Sequence, residues 1–342
     1  MRPAVHPGLR RFWRDEQTVQ FGLETAHAVV VGGIGPAVAE LLDRLDGTHE
    51  LDDLVQAAAK RGVPAEEARR VLALLSAAGA MADTSARPDA IATLPLIERD
   101  RLGPDVAALS LSHPDPALAL SRRRNASVRV VGAGRVGAPI ATLLAAAAVG
   151  RVSVEDPRPV RAADAAPAGL TTQDAGRSRS SAVHARLATV SESVIVDPGS
   201  PVDVVVIADP PELDPTADLV RRGVPHLYAS VRETTARVGP FVRPGRSACQ
   251  RCLDLIRADR DPCWPFVAAQ LSGPRRDPPA AEPCDVVLAH LCAGLAAREV
   301  LSHLDGVAPA TLDGTLEIGP GAAIRRRSWR RHPACGCAEV NA

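Results

Sequence analysis

Lysine is almost absent from this chain. Lys60 is the only one, so 39 of the 40 basic residues are arginine, and Asn125 and Asn341 are the only asparagines. Such a bias looks like GC-rich coding, so an arginine where a motif elsewhere carries lysine is weak evidence of lost function. Aromatic residues make up 2% of the chain, and alanine supplies much of the 46% that is hydrophobic. Excess charge of either sign is missing too: the formal net charge is +0, which argues against a nucleic-acid-binding or membrane-surface protein. No run approaches the roughly 20 apolar residues that span a bilayer, and the opening Met-Arg-Pro-Ala-Val-His has no apolar signal core. From these absences a cytoplasmic protein is the expectation. There the seven cysteines are better read as metal ligands or free thiols than as disulfides.

What is present centres on residues 128–156. The apolar stretch 128–131 runs into Gly132-Ala-Gly134-Arg-Val-Gly137, a helix-period run follows to 145, and a second apolar stretch ends in Asp156. Gly132 permits the sharp strand-to-helix turn, Gly134 leaves room for backbone to approach a phosphate, and Gly137 lets the helix pack closely on the sheet. The helix N-terminus would present unpaired N–H groups to an anion, and Asp156 is placed to accept hydrogen bonds from ribose hydroxyls. The other reading is a tight strand-to-helix turn that binds nothing.

The 342 residues are enough for two domains and a substantial core. Residues 1–83 read as a small winged-helix-like α+β domain, with strands at 18–22 and 28–31 and helices at 36–45, 51–60 and 64–78. Glu66, Glu67, Arg69 and Arg70 do not make a basic recognition face, so peptide or protein binding is preferred over DNA; bracing of the larger domain is the alternative. Residues 84–126 read as linker and short helices, and Arg122-Arg-Arg124 as a solvated turn without function. Residues 127–342 read as an α/β domain with a Rossmann-like, mostly parallel sheet. Its further strands lie at 203–209, ending in Asp209, and at 226–230. Beyond them come an antiparallel strand at 236–242, a long loop over 259–284 interrupted by six prolines, a helix at 286–304 and a closing hairpin.

Cys249-Gln-Arg-Cys252 and Cys335-Gly-Cys337 are two chelating pairs. A Cys-x-x-Cys turn aims two thiolates at one tetrahedral ion, and a tight Cys-Gly-Cys supplies the other two, with Gly336 relieving the backbone. A structural zinc site is the expectation, because four cysteines leave no open position for water; four unliganded thiols is the alternative. His332 is a candidate substitute ligand. Cys292 reads as a packed core thiol, while Cys263 and Cys284, near the two ends of the long loop, are candidate nucleophiles for an acyl group.

The glycine turn, the strands ending in Asp156 and Asp209, and the two cysteine pairs together resemble the ThiF/MoeB/HesA family, prokaryotic relatives of ubiquitin-activating enzymes, over roughly residues 128–337. The resemblance implies binding of ATP and magnesium, adenylation of the C-terminal carboxylate of a small protein or peptide, and a homodimer. It assigns Gly132, Gly134 and Gly137 to phosphate, Asp156 to ribose and Asp209 to magnesium. Arg179, in Gly176-x-x-Arg179, stands for a phosphate-contacting lysine, so Asp209 and Arg179 are the catalytic candidates. The chain departs from the family pattern at Arg135, where a second glycine is usual, and at Arg158, where a second acid is usual. Residues 162–168 hold no counterpart of the family's Asn-x-x-Arg-Gln element, and loss of such a charge-stabilising group commonly removes several kcal/mol of catalysis.

Residues 1–83 resemble the PqqD-like module that captures leader peptides by adding a strand to a winged helix. The combined layout resembles the ThiF-like partners of YcaO cyclodehydratases in ribosomal-peptide maturation, including actinobacterial members. The resemblances imply two functions: an ATP-dependent adenylyltransferase acting on a peptide or small-protein carboxylate, or a degenerate scaffold that binds a precursor leader peptide and presents it to a YcaO-like enzyme. A nicotinamide dehydrogenase is disfavoured because a four-cysteine site has no part in hydride transfer.

Overall fold

The computed structural model describes residues 1–85, 89–197, 199, 201–208, 216–272, 283–321 and 323–337. The described chain divides into two units, Met1–Leu118 and Ala119–Ala342.

The first unit holds the expected strands near 18–22 and 28–31 and three more that the sequence pattern does not announce. β1 (Pro3–Val5) pairs with β5 (Met81–Asp83) at the far end of the unit, and β2 (Arg11–Asp15) joins β3 (Thr18–Phe21) and β4 (Val29–Val31) in an antiparallel sheet. β1, β2 and β5 are short, and their partners rather than any alternation define them. Three helices follow the second sheet: α1 (Pro36–Asp43), α2 (Leu51–Ala59) and α3 (Ala65–Ala77). Leu41, Leu42, Leu54, Leu72 and Leu75 face Val19 and Phe21 in one buried cluster.

After α4 (Asp89–Ala92) comes α5 (Leu96–Ser112), a helix of 17 residues where linker and short helices were expected at 84–126. The helix runs through Pro104. Proline removes an intrahelical hydrogen bond, but Pro104 and Asp100, whose carbonyl loses its donor, are exposed, whereas Leu102 and Leu109 are buried. Proline is tolerated because the broken bond faces solvent.

α6 (Pro116–Asn125) leads into the second unit, and it overturns the reading of Arg122-Arg-Arg124 as a solvated turn. Arg123 is only 5% exposed, and its guanidinium meets Asp305 through Nε–Oδ1 at 2.7 Å and Nη2–Oδ2 at 2.6 Å. The partner lies far along the chain, so no local pattern announces it.

The second unit is built on one seven-stranded sheet. β6 (Ser127–Val131), α7 (Gly137–Ala146), β7 (Arg151–Glu155), α8 (Arg179–Val190), β8 (Val204–Ile207), α9 (Thr216–Arg221) and β9 (His226–Arg232) form the parallel half, in the order β7-β6-β8-β9. β8 is buried along its whole length, as a central parallel strand must be. The sheet then turns antiparallel through β10 (Thr235–Val242). α10 (Gln250–Ala258), α11 (Trp264–Ser272) and α12 (Val286–Leu304) precede β11 (Gly314–Ile318) and β12 (Ile324–Ser328). α11 corrects part of the expected loop at 259–284: Pro265 is the helix's second residue, where a missing N–H costs no intrahelical bond.

α12 also qualifies the statement about apolar runs, since its 19 residues have the length and apolarity to cross a bilayer. Its Ala289, Cys292, Ala293, Ala296 and Val300 are instead buried in the cluster that fills the parallel sheet.

Removing Asp305 leaves a buried guanidinium without its partner. Asp305→Ala is expected to destabilise by about 3–5 kcal/mol in chemical denaturation, while the double change Arg123→Met, Asp305→Leu returns most of it. Equal loss in the single and double variants would show that the ion pair is not the cause.

Candidate functional site

β6 ends at the point where the strand order reverses. Its helix α7 leads to β7 on one side, and β8 lies on the other, which is where a parallel sheet opens a crevice at its carboxyl edge. The glycine turn occupies that point. Gly132 has φ +90°, a conformation other residues rarely adopt, and its N–H bonds to the Glu155 carbonyl at 2.9 Å. A Cβ on Gly137 would overlap the Gly132 carbonyl oxygen and sit 2.9 Å from the Ala208 Cβ. The Gly134 carbonyl accepts from Ala138 N at 3.2 Å, joining the turn to the first residues of α7.

Asp156, just past β7, is 2% exposed. Its Oδ2 accepts the Ala133 N–H at 2.9 Å, so the acid is locked to the glycine turn. Ser180 Oγ donates to its backbone carbonyl and accepts from its N–H, both at 2.8 Å, which docks the start of α8. Arg158 closes a two-pronged pair on the same carboxylate, Nε–Oδ1 at 2.8 Å and Nη2–Oδ2 at 2.7 Å. Burial alone would raise the Asp156 pKa; the Arg158 hydrogen bonds, the Ala133 N–H and the charges of Arg158 and Arg179 outweigh it and hold the carboxyl below its ordinary value.

Arg179, the first residue of α8, is 4% exposed and lies between two acids. Nη1 reaches Asp156 Oδ2 at 3.2 Å, and Nη2 and Nε reach Asp164 Oδ2 at 2.6 and 3.1 Å. Asp164 is a residue that the sequence reading passed over, because it stands in an alanine-rich run. Its carboxylate also accepts the Arg161 N–H at 2.8 Å, capping the short 3-10 turn Ala162–Asp164. The one available signal was an acid three residues after Arg161. Arg135, where the family pattern has glycine, donates to the Ala163 carbonyl at 2.7 Å and the Cys284 carbonyl at 2.8 Å. It therefore ties the glycine turn both to that 3-10 turn and to the segment before α12. The structure thus brings Gly132, Gly134, Gly137, Asp156 and Arg179 together, while Asp209 lies outside the described residues.

A second constellation sits at the other half of the sheet. Cys249 caps α10, Cys252 lies in its first turn, and Cys335 and Cys337 return to them from the end of the described chain. All four are buried, and their sulfur atoms lie within 4.8 Å of one another. Sγ–Sγ distances are 3.8 Å for Cys249–Cys252 and 3.5 Å for both Cys249–Cys335 and Cys252–Cys337. A tetrahedral zinc with bonds of ~2.3 Å separates its sulfurs by about 3.8 Å, so the residues fit such an ion. Burial pushes the Cys249 thiol up to about 12 and raises Cys337 as well. A dication is what lets such thiols ionise together. His332 is not part of the set: its Nδ1 accepts from Ala334 N at 3.1 Å and its Nε2 pairs with Asp259 at 3.0 Å.

Of the remaining cysteines, Cys292 is a core thiol whose sulfur meets the Ser230 and Arg237 carbonyls at 3.7 and 3.8 Å. Cys263 is exposed and Cys284 half-buried.

Fold and site define a class: α/β proteins with a glycine turn at the carboxyl edge of a parallel half-sheet and a four-cysteine cluster on the antiparallel half. Comparison with known proteins bears on the fold. Residues 111–199 match the ThiF family. The chain is 28% identical over 241 residues to the sulfur carrier protein adenylyltransferase of Thermus thermophilus, covering 63% of this chain and 82% of that one. Among solved structures, E. coli MccB with MccA-N7isoASN superposes with TM-score 0.72 at 14% identity, covering 99% of both chains. PaaA superposes with TM-score 0.72 at 16% identity over 95% of this chain. At these identities the solved structures establish a shared fold.

Two outcomes follow from the geometry. Cys335→Ser is expected to lower the zinc content of the purified protein and its melting temperature, read by metal analysis and calorimetry; a wild type without metal would refute the site. Asp156 has a depressed folded pKa, so its stabilising contribution is present above the unfolded value of about 4 and is lost as pH falls through the folded value. The stability gap between wild type and Asp156→Asn should therefore close as the pH drops below about 4. A gap that stays constant with pH would assign the effect to packing.

Proposed function

We propose that this protein is a ThiF-type adenylyltransferase that binds ATP and activates the C-terminal carboxylate of a small protein or precursor peptide. The observation that carries the proposal is the lock between Asp156 and the Ala133 N–H, which holds an acid and the N-terminus of α7 at one crevice. In this reading Gly132, Gly134 and Gly137 take the phosphates, Asp156 takes the ribose, and Arg179 with Asp209 and magnesium balances charge on the reacting phosphate. The carboxylate attacks the α-phosphorus, pyrophosphate leaves, and an acyl-adenylate remains; Cys263 or Cys284 is then the candidate acceptor of the acyl group.

Support from relatives is of the same kind. MccB has been crystallised with ATP and with MccA, and the Thermus relative is named for adenylyl transfer to a sulfur carrier protein. We place the protein in the cytoplasm, where its thiols stay reduced, as a homodimer with structural zinc.

A second reading is favoured by one observation. Arg179 and Asp156 are already satisfied by Asp164 and Arg158, and residues 162–168 bring no arginine of their own. On that reading the nucleotide fold is a scaffold, and a PqqD-like domain in residues 1–83 captures a leader peptide for a YcaO-like partner.

Pyrophosphate–ATP exchange that depends on a carboxylate-bearing peptide separates the two. Exchange by the zinc-loaded wild type, lost by at least about 100-fold in Asp209→Ala, supports the enzyme. No exchange, together with peptide binding that disappears on deleting residues 1–83, supports the scaffold.

A further inference from the structure

Arg158 stands two residues after the acid assigned to ribose, where the ThiF pattern has a second acid. Its side chain is half exposed, at 50%, whereas the carboxylate that it grips is 1% exposed. The grip uses both carboxylate oxygens, and the Arg158 backbone N–H adds a third bond to Oδ1 at 3.2 Å. Oδ2 is further occupied by the Ala133 N–H and by Arg179. A carboxylate offers about four lone-pair sites, so hydroxyl groups reach Asp156 only by displacing one of its donors. The Ala133 N–H is part of the glycine turn, and Arg179 is buried and held independently by Asp164. Of these donors, Arg158 is the one whose side chain is half exposed.

We infer that Arg158 determines which nucleotides the site accepts, by competing with ribose for Asp156 and by pairing with the polyphosphate once displaced. The inference rests on the proposed binding of ATP at the glycine turn. Asp156 Oδ2 bridges Arg158 and the Ala133 N–H, so a displaced guanidinium is one carboxylate away from the backbone that faces phosphate. A nucleoside breaks the Arg158–Asp156 pair and supplies no anion in its place. A triphosphate breaks the same pair and replaces it with a stronger, more highly charged one. The chain's own pair thereby selects for phosphorylated ligands over the nucleoside.

Titration calorimetry with adenosine, AMP and ATP on the full-length, zinc-loaded wild type, Arg158→Ala and Arg158→Lys tests this. Arg158→Ala should bind adenosine about fivefold more tightly and ATP about fivefold more weakly, from loss of one charge-assisted pair in each state. Lysine keeps the charge but cannot hold both carboxylate oxygens, so Arg158→Lys should gain adenosine affinity while keeping most of its ATP affinity; it also serves if the alanine variant does not fold. Changes of the same sign and size for adenosine and ATP would reduce Arg158 to a structural residue and overturn the inference, with ATP binding itself intact. A folded wild type and folded variants that bind none of the three ligands would overturn the nucleotide reading and this inference with it.

Discussion

The Asp156 carboxylate is the constraint on which the rest of the site depends. It is buried and charged, and among the described residues its side chain is stabilised by donors from three places: the glycine turn through Ala133, its own strand end through Arg158, and the start of α8 through Arg179. A buried carboxylate without such partners would cost several kcal/mol. Each donor therefore fixes the element that carries it. The turn after β6, the end of β7 and the N-terminus of α8 converge because this one charge requires them to.

Asp164 extends the same logic by one step. It holds Arg179 from the far side and shapes the 3-10 turn against which Arg135 anchors the glycine turn. Arg158, Asp156, Arg179 and Asp164 form a circuit of ion pairs beside the glycine turn. That circuit differs in sign pattern from the ThiF arrangement, in which an acid follows Asp156 and an arginine element follows later. The two arginines and two acids thus balance one another at the carboxyl edge of the parallel sheet.

The four-cysteine cluster acts at a distance from this circuit. It joins the segment after β10 to the end of the described chain, and Trp329, packed against the same small core, donates to Thr315 in β11 at 3.0 Å. The long chain between Cys252 and Cys335 carries α11, α12 and the β11–β12 hairpin. An ion held by the four thiols would close so long a loop and remove conformational freedom from the unfolded state.

Much of this was legible in the residues themselves. The glycine spacing, the apolar β8 and the 286–304 helix are local signals: backbone sterics and hydrophobic period act over a few positions, and a sequence displays them directly. The cysteine pairs were legible for a similar reason, since each pair chelates locally. Proline was misleading at Pro104 and Pro265, because its cost depends on which face of a helix the lost bond occupies and on its place in the first turn. Arginine was misleading at Arg123, whose partner Asp305 is supplied by a distant helix end. Asp164 remained silent for the same reason, and Arg158 stood out only as a departure from a pattern: an ion pair is defined by two positions in space, and sequence spacing fixes only neighbours on one element. What the sequence determined by itself was the backbone at Gly132 to Asp156 and the donor set at the cysteines. Only the tertiary structure decided how the charges around Asp156 are partnered, because that follows from where β7, α8 and the 162–164 turn meet.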